Sequence, residues 1–202
     1  MIIKCCDLSD LPSVYKLYEK LRPYRLETWI NSAGFGDYGK VTDLNLEKTQ
    51  KMLHLNIEAL TILSSLYAKD YKDVPGSQLI NLSSRGGYII VPDAVVYCAA
   101  KFYVGAFTEG LARELKNSKA GLRAKVLAPA ATKTEFGMIA NDVTDYDYDN
   151  KLGNYHTSSQ MAEFLLQLYD SDKTVGIVDW QTFSFYLKDP LFDYAGSYNQ
   201  KR

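Results

Sequence analysis

Apolar residues recur along this chain in two alternating rhythms. Leu11, Val14, Tyr15, Leu17, Tyr18 and Leu21 fall at helical spacing behind Asp7-Leu8-Ser9-Asp10, which predicts a helix that begins near Leu11 and stops at Pro23. Leu53, Ile57, Leu60 and Leu63 share one face of a longer helical stretch over residues 44–71, and residues 97–115 and 159–168 read as helices too. Between them lie short apolar runs at residues 2–6, 26–30, 78–82, 122–128 and 175–178, each the length of a buried strand. Pro75-Gly76 is a clear breaker. Strand and helix in alternation predict an α/β fold, a doubly wound and Rossmann-like parallel sheet with helices on both faces. Ligands in such sheets sit at the carboxyl ends of the strands, which directs attention to Asp7, Asn31 to Gly34, Ser83-Ser84 and Pro129 to Thr134.

Composition narrows this picture. The 202 residues fit one domain, with an aromatic tail over residues 180–202, and 47% hydrophobic content excludes global disorder. A net charge of -1 argues against nucleic acid as the main partner. Cys5, Cys6 and Cys98 make no disulfide framework, so a reducing cytoplasm is expected. With His54 and His156 as the only imidazoles and no Cys-x-x-Cys spacing, no metal site is expected. The most apolar stretch, residues 86–100, is interrupted by Pro92 and Asp93 and is too short to span a membrane, and the apolar run at the N-terminus ends at Lys4, unlike a signal peptide.

Three patterns carry candidate chemistry. Gly34-x-Gly36-x-x-Gly39 has the spacing of a dinucleotide loop, but Lys40-Val41-Thr42-Asp43 stands where a helix should begin at the third glycine. It reads better as a glycine-rich connection of another kind. Tyr97 and Lys101 lie four apart on a predicted helix and share a face, where the ammonium favours the phenolate. With 16 tyrosines such pairs also arise by chance, and Tyr169/Lys173 is a second one, read as a surface contact. The first pair differs in context: Ser83-Ser84 ends an apolar strand, with Ser84 thirteen residues before Tyr97.

Together these residues resemble the short-chain dehydrogenases/reductases. Asn31-Ser32-Ala33-Gly34 resembles the Asn-Asn-Ala-Gly motif of that family, and Asn56 stands where it has a helical asparagine. Ile80-Asn81-Leu82-Ser83-Ser84 through Tyr97-Cys98-Ala99-Ala100-Lys101 resembles its serine and Tyr-x-x-x-Lys segment. Pro129 to Thr134 resembles its Pro-Gly-x-x-x-Thr segment, with Ala130 in place of the glycine, and Asp7-Leu8 resembles the acidic-apolar pair that ends its third strand. The resemblance implies an NAD(P)-dependent oxidoreductase that moves hydride between nicotinamide and a carbonyl or alcohol substrate. Tyr97 would be the general acid, Lys101 would lower its pKa and hold the nicotinamide ribose, Ser84 would bind the substrate oxygen, and Asn56 would hold a helix bend and a relay water. Asp7 and Leu8 would border the adenine, Asn31, Ala33 and Gly34 would line the adenosine side, and Pro129, Thr132 and Thr134 would face the nicotinamide end. The helices holding residues 53–67 and 97–115 would offer a face for a homo-oligomer.

The resemblance also implies a departure at the front. The family opens with a strand, a Thr-Gly-x-x-x-Gly-x-Gly loop, a helix and a second strand, about 45–50 residues in all, before the strand expected here at residues 2–6. On that reading the chain is N-terminally truncated, the choice between NAD and NADP is not written in it, and its own activity is in doubt. In the family's strand order the first two strands of this chain would then stand about 14 Å apart, leaving an apolar sheet edge open and the chain poorly stable alone. The alternative is a non-catalytic relative that keeps the fold for binding or oligomerisation.

Overall fold

The computed structural model describes residues 2–195. Seven strands and seven α-helices follow in chain order: α1 (Leu11–Leu21), β1 (Thr28–Asn31), α2 (Leu46–Leu53), α3 (Leu60–Tyr71), β2 (Gln78–Leu82), α4 (Val95–Asn117), β3 (Arg123–Ala128), β4 (Thr132–Lys133), α5 (Phe136–Asn141), α6 (Tyr148–Lys151), β5 (His156–Thr157), α7 (Ser158–Asp170), β6 (Val175–Val178) and β7 (Phe185–Lys188). Five strands form one sheet in the order β1-β2-β3-β6-β7, and β4 pairs with β5 apart from it. The first four are parallel, with Trp29 opposite Leu79 and Leu79 opposite Ala124, while β7 runs antiparallel to β6.

Burial follows from the sequence. Central strands covered on both faces need continuous apolar runs, and Ala124, Val126, Leu127 and Ala128 of β3 are all buried. On one face Leu79 and Ala124 pack against Val14, Tyr18, Leu63, Tyr67 and Leu115 of α1, α3 and α4. On the other, Ile80, Leu127 and Val178 pack against Met161 and Leu168 of α7. No helix among the described residues is long and apolar enough to cross a membrane.

Several expectations are corrected. Residues 2–6 form no strand: Ile2 and Ile3 are 62% and 73% exposed. A short apolar run becomes a strand only where another strand offers it hydrogen bonds. Instead Ile2, Lys4 and Leu8 lie beside β1 and line a cavity of about 320 Å³ with Trp29, Ile30 and Asn31. The anticipated gap between two opening strands does not arise, and the sheet begins at β1, which pairs only with β2 among the described residues.

The single helix expected over residues 44–71 is three pieces, α2, a π-helical stretch at His54–Ala59, and α3. Asn45 caps α2, accepting from the amides of Glu47 and Lys48. Residues 138–157 hold most of α5 and all of α6, and Tyr148 there is buried. The tail supplies β7 along the edge of β6, reached by a turn in which Asp179 accepts from the amides of Gln181 and Thr182 and Trp180 stays 51% exposed. Residues 196–202 of that tail lie outside the described residues.

Candidate active site

The carboxyl ends of β1 and β2 place the candidate residues. Ser83 follows β2 directly, and its hydroxyl donates to the Lys101 carbonyl at 2.7 Å and fixes α4 against the strand. Ser84 follows and caps a 3-10 turn at Arg85–Gly87, accepting from the Gly86 amide at 3.1 Å. Gly87 lets this turn lie against α4, since an added Cβ would come within 2.5 Å of the Lys101 carbonyl oxygen.

Tyr97 and Lys101 stand one turn apart near the start of α4, with the ammonium 5.8 Å from the ring centroid. Lys101 is 6% exposed, and burial lowers its pKa to about 8. One of its three N–H donors is spent on the Leu82 carbonyl at 3.0 Å. Burial also holds the Tyr97 phenol above its ordinary range, and the nearby Ser84 hydroxyl pulls the other way.

The π-helical stretch brings Asn56 to the same place. Its amide donates to the Phe35 carbonyl at 2.8 Å and accepts from the Phe35 amide at 3.2 Å, so the bend in the helix is tied to the loop after β1. Gly34 sits between: a Cβ there would lie 2.9 Å from Asn56 Oδ1 and 3.5 Å from Lys101 Nζ. The backbone at Gly34 is therefore bare beside the Lys101 ammonium, which keeps two further N–H donors.

Other expected residues are placed less uniformly. Leu8 lines the 320 Å³ cavity together with Asn31, Ser32 and Ala33. Asp7 does not line it; its Oδ1 accepts from the Ser9 amide and hydroxyl, which lowers its pKa. The Asn31 side chain turns into the core, donating to Asn81 at 2.8 Å and Ser64 at 3.0 Å and accepting from Trp29 Nε1 at 2.7 Å. Ligand-facing groups at that strand end are therefore backbone or belong to Ser32, Ala33 and Gly34. Pro129 accepts from the Arg85 amide at 2.6 Å, which ties the third strand end to the Ser84 turn. Thr132 bonds its own loop at Ala130, and Thr134 accepts from the amide of Phe136 where α5 begins.

Sequence reasoning missed what covers Tyr97. Phe136 and Tyr38 pack on its ring at 5.5 and 5.7 Å, and they touch each other at 6.1 Å. Burial pushes the Tyr38 phenol up to about 12. Gly36 admits this lid, because a Cβ there would be 2.7 Å from the Phe136 ring. Lys48 holds it down through Asp142 at 2.8 Å and the Ile139 carbonyl at 2.9 Å, while Asp37 stands 3.4 Å away. The only signal in the sequence is the presence of aromatic residues within polar, glycine-rich loops.

A phenol, an ammonium and a hydroxyl meet near the carboxyl ends of a parallel sheet, beside an asparagine in the bent neighbouring helix, in a Rossmann-like fold. The chain belongs to the short chain dehydrogenase family, whose sequence model matches residues 1–144. It is 28% identical over 143 residues to the chicken (Gallus gallus) dehydrogenase/reductase SDR family member 11, covering 68% of this chain and 56% of that protein. It is 28% identical over 197 residues to the uncharacterized oxidoreductase YohF of Escherichia coli, covering 93% of this chain and 76% of that one. A solved short-chain dehydrogenase from Sphingobium yanoikuyae, in complex with NADPH, superposes with a TM-score of 0.78 at 25% identity, covering 88% of this chain and 67% of that chain. The chain spans a little over half the length of the chicken protein and its vertebrate counterparts.

Proposed function

We propose that the protein is an NAD(P)-dependent oxidoreductase that interconverts a small carbonyl compound and its alcohol. The observation that carries this reading is the convergence of Lys101 and Asn56 on Gly34 beside Tyr97, one turn from Ser84's strand end. The nicotinamide cofactor, NAD or NADP, supplies or receives the hydride. Lys101 holds its ribose at Gly34, with Asn31, Ala33 and Leu8 toward the adenosine, Asp7 at the adenine border, and Pro129, Thr132 and Thr134 toward the nicotinamide.

Ser84 donates a hydrogen bond to the carbonyl oxygen and orients it toward Tyr97. In reduction the Tyr97 O–H proton passes to that oxygen, and the Lys101 ammonium stabilises the tyrosinate left behind. In oxidation the same proton returns. Asn56 fixes the bend that keeps the Gly34 loop open. Because Phe136 and Tyr38 cover Tyr97, substrate entry requires α5 to lift.

The test is NADH and NADPH oxidation with a panel of aldehydes and ketones, together with cofactor binding followed by nicotinamide fluorescence. Turnover that Tyr97→Phe lowers by about 10²–10⁴-fold, with cofactor affinity kept, is the expected result. Tight cofactor binding with no turnover on any substrate would favour a binding protein instead.

A further inference from the structure

We propose that Glu109 is a positioning residue for the Ser84 loop, and that it works by fastening the segment at residues 190–194 across α4. This deepens the reading above and rests on it. Glu109 is 1% exposed, and both its carboxylate oxygens are committed. Oε1 accepts from the Tyr88 hydroxyl at 2.7 Å. Oε2 accepts from the amides of Leu191 and Phe192 at 2.6 and 2.9 Å. A buried carboxylate is costly unless such donors surround it, and here the donors come from two chain segments far apart in sequence.

The two segments also touch each other. The rings of Tyr88 and Phe192 stack at 5.3 Å and 16°. Gly105, one turn before Glu109, makes room for both: a Cβ there would meet Phe192 at 3.2 Å and the Tyr88 hydroxyl at 3.4 Å. One turn after Glu109, Arg113 donates to the Phe192 carbonyl at 2.9 Å and lies over the Tyr194 ring at 5.2 Å.

Tyr88 closes the turn that Ser84 opens. The Gly87 amide donates to the Ser84 carbonyl at 2.9 Å, and the Tyr88 amide donates to the Arg85 carbonyl at 3.0 Å. Tyr97, Lys101, Gly105, Glu109 and Arg113 fall at every fourth position of α4, so one winding stripe carries the candidate proton donor at one end and the clasp at the other. The clasp holds Tyr88, Tyr88 holds the turn, and the turn sets the Ser84 hydroxyl against the Tyr97 phenol.

The test compares Glu109→Ala, Tyr88→Phe and the conservative Glu109→Gln. Amide hydrogen exchange is read at residues 85–88 and 191–192, and kcat, KM and cofactor Kd are measured on any substrate the panel yields. Glu109→Ala is expected to speed exchange in both segments at least tenfold and to lower kcat by about 10–100-fold, the scale of an ångström's misplacement. Cofactor Kd and the pH profile stay as in wild type, and Glu109→Gln restores most of kcat because its amide can still serve both segments. Unchanged exchange at residues 85–88 in Glu109→Ala overturns the proposal. So does faster exchange there with wild-type kcat, which marks a purely structural clasp. If the wild-type protein turns over nothing, the functional reading fails by itself, and the exchange data still decide whether Glu109 orders the Ser84 turn.

Discussion

Lys101 shows how one residue couples stability to chemistry. Burial lowers its pKa from 10.5 to about 8, so at pH 7 it is a buried cation with a single carbonyl partner at Leu82. Between pH 8 and 10.5 the unfolded chain binds this proton more strongly than the folded one, so the lysine's contribution to stability rises with pH in that window. Lys101→Met is expected to stabilise the fold by about 1 kcal/mol at pH 7, with the gain shrinking by pH 10, because it removes a desolvated charge at the loss of one hydrogen bond. Urea unfolding at the two pH values measures this, and a variant less stable than wild type at pH 7 would contradict it. The pairing of Tyr97 with Lys101 was legible from the sequence because a helix fixes contacts four residues apart. The cover of Tyr38 and Phe136 was not, since it depends on two loops meeting over the strand ends. The orientation of the Asn31 side chain was not legible for a related reason: a polar residue at a strand end turns outward or inward according to its neighbours, and Asn81 and Ser64 draw this amide inward.

At the scale of elements, α7 illustrates a helix end satisfied from outside. The last carbonyls of a helix have no partner within it. Here Lys125 of β3, 1% exposed, donates to the carbonyls of Leu168, Tyr169 and Ser171 at 2.7, 2.8 and 2.7 Å. Gln78 of β2 adds a bond to Tyr169 at 3.2 Å. Lys125→Met keeps the length of the side chain, removes three hydrogen bonds, and leaves the Ser171 carbonyl without its donor while Leu168 and Tyr169 keep only Ser171 and Gln78. It is expected to destabilise the protein by about 2–3 kcal/mol and to loosen α7 first, seen as faster exchange of its last-turn amides. Equal stability would mean that water serves those carbonyls as well. A lysine inside the apolar run at residues 122–128 was visible in the sequence as an exception, but its destination was not. Helices α1, α4 and α7 and strands β1, β2, β3 and β6 were read within a few residues, because each has its own apolar rhythm, whereas the run at residues 2–6 had no strand to pair with. The π-helical stretch was anticipated only as the helix bend that the family resemblance assigns to Asn56, whose bonds to Phe35 tie it to the loop after β1.

For the whole molecule the two margins of the sheet differ. β7 closes one with an antiparallel pairing, in a strand whose alternate residues are exposed. Its aromatic surroundings gave no strand–helix alternation to read, whereas the parallel pairing of β1, β2, β3 and β6 followed from that alternation. The other margin, β1, pairs on one side only among the described residues and leaves Ile30 44% exposed. An apolar open edge invites another strand. Ile30→Lys is expected to reduce self-association, measured by sedimentation velocity across a concentration series, with an unchanged far-ultraviolet circular dichroism spectrum. Identical sedimentation of variant and wild type would place any self-association on another face. The chain's two tryptophans happen to mark these margins, Trp29 in β1 against Asn31 and Trp180 at the exposed turn before β7. The protein therefore carries an optical probe at each side, a half-shielded indole beside the Leu8 cavity and a half-exposed one at the far hairpin. Replacing Trp180 leaves an emission that reports on the cavity side alone, and its spectral overlap with reduced nicotinamide turns nucleotide proximity into a change in light.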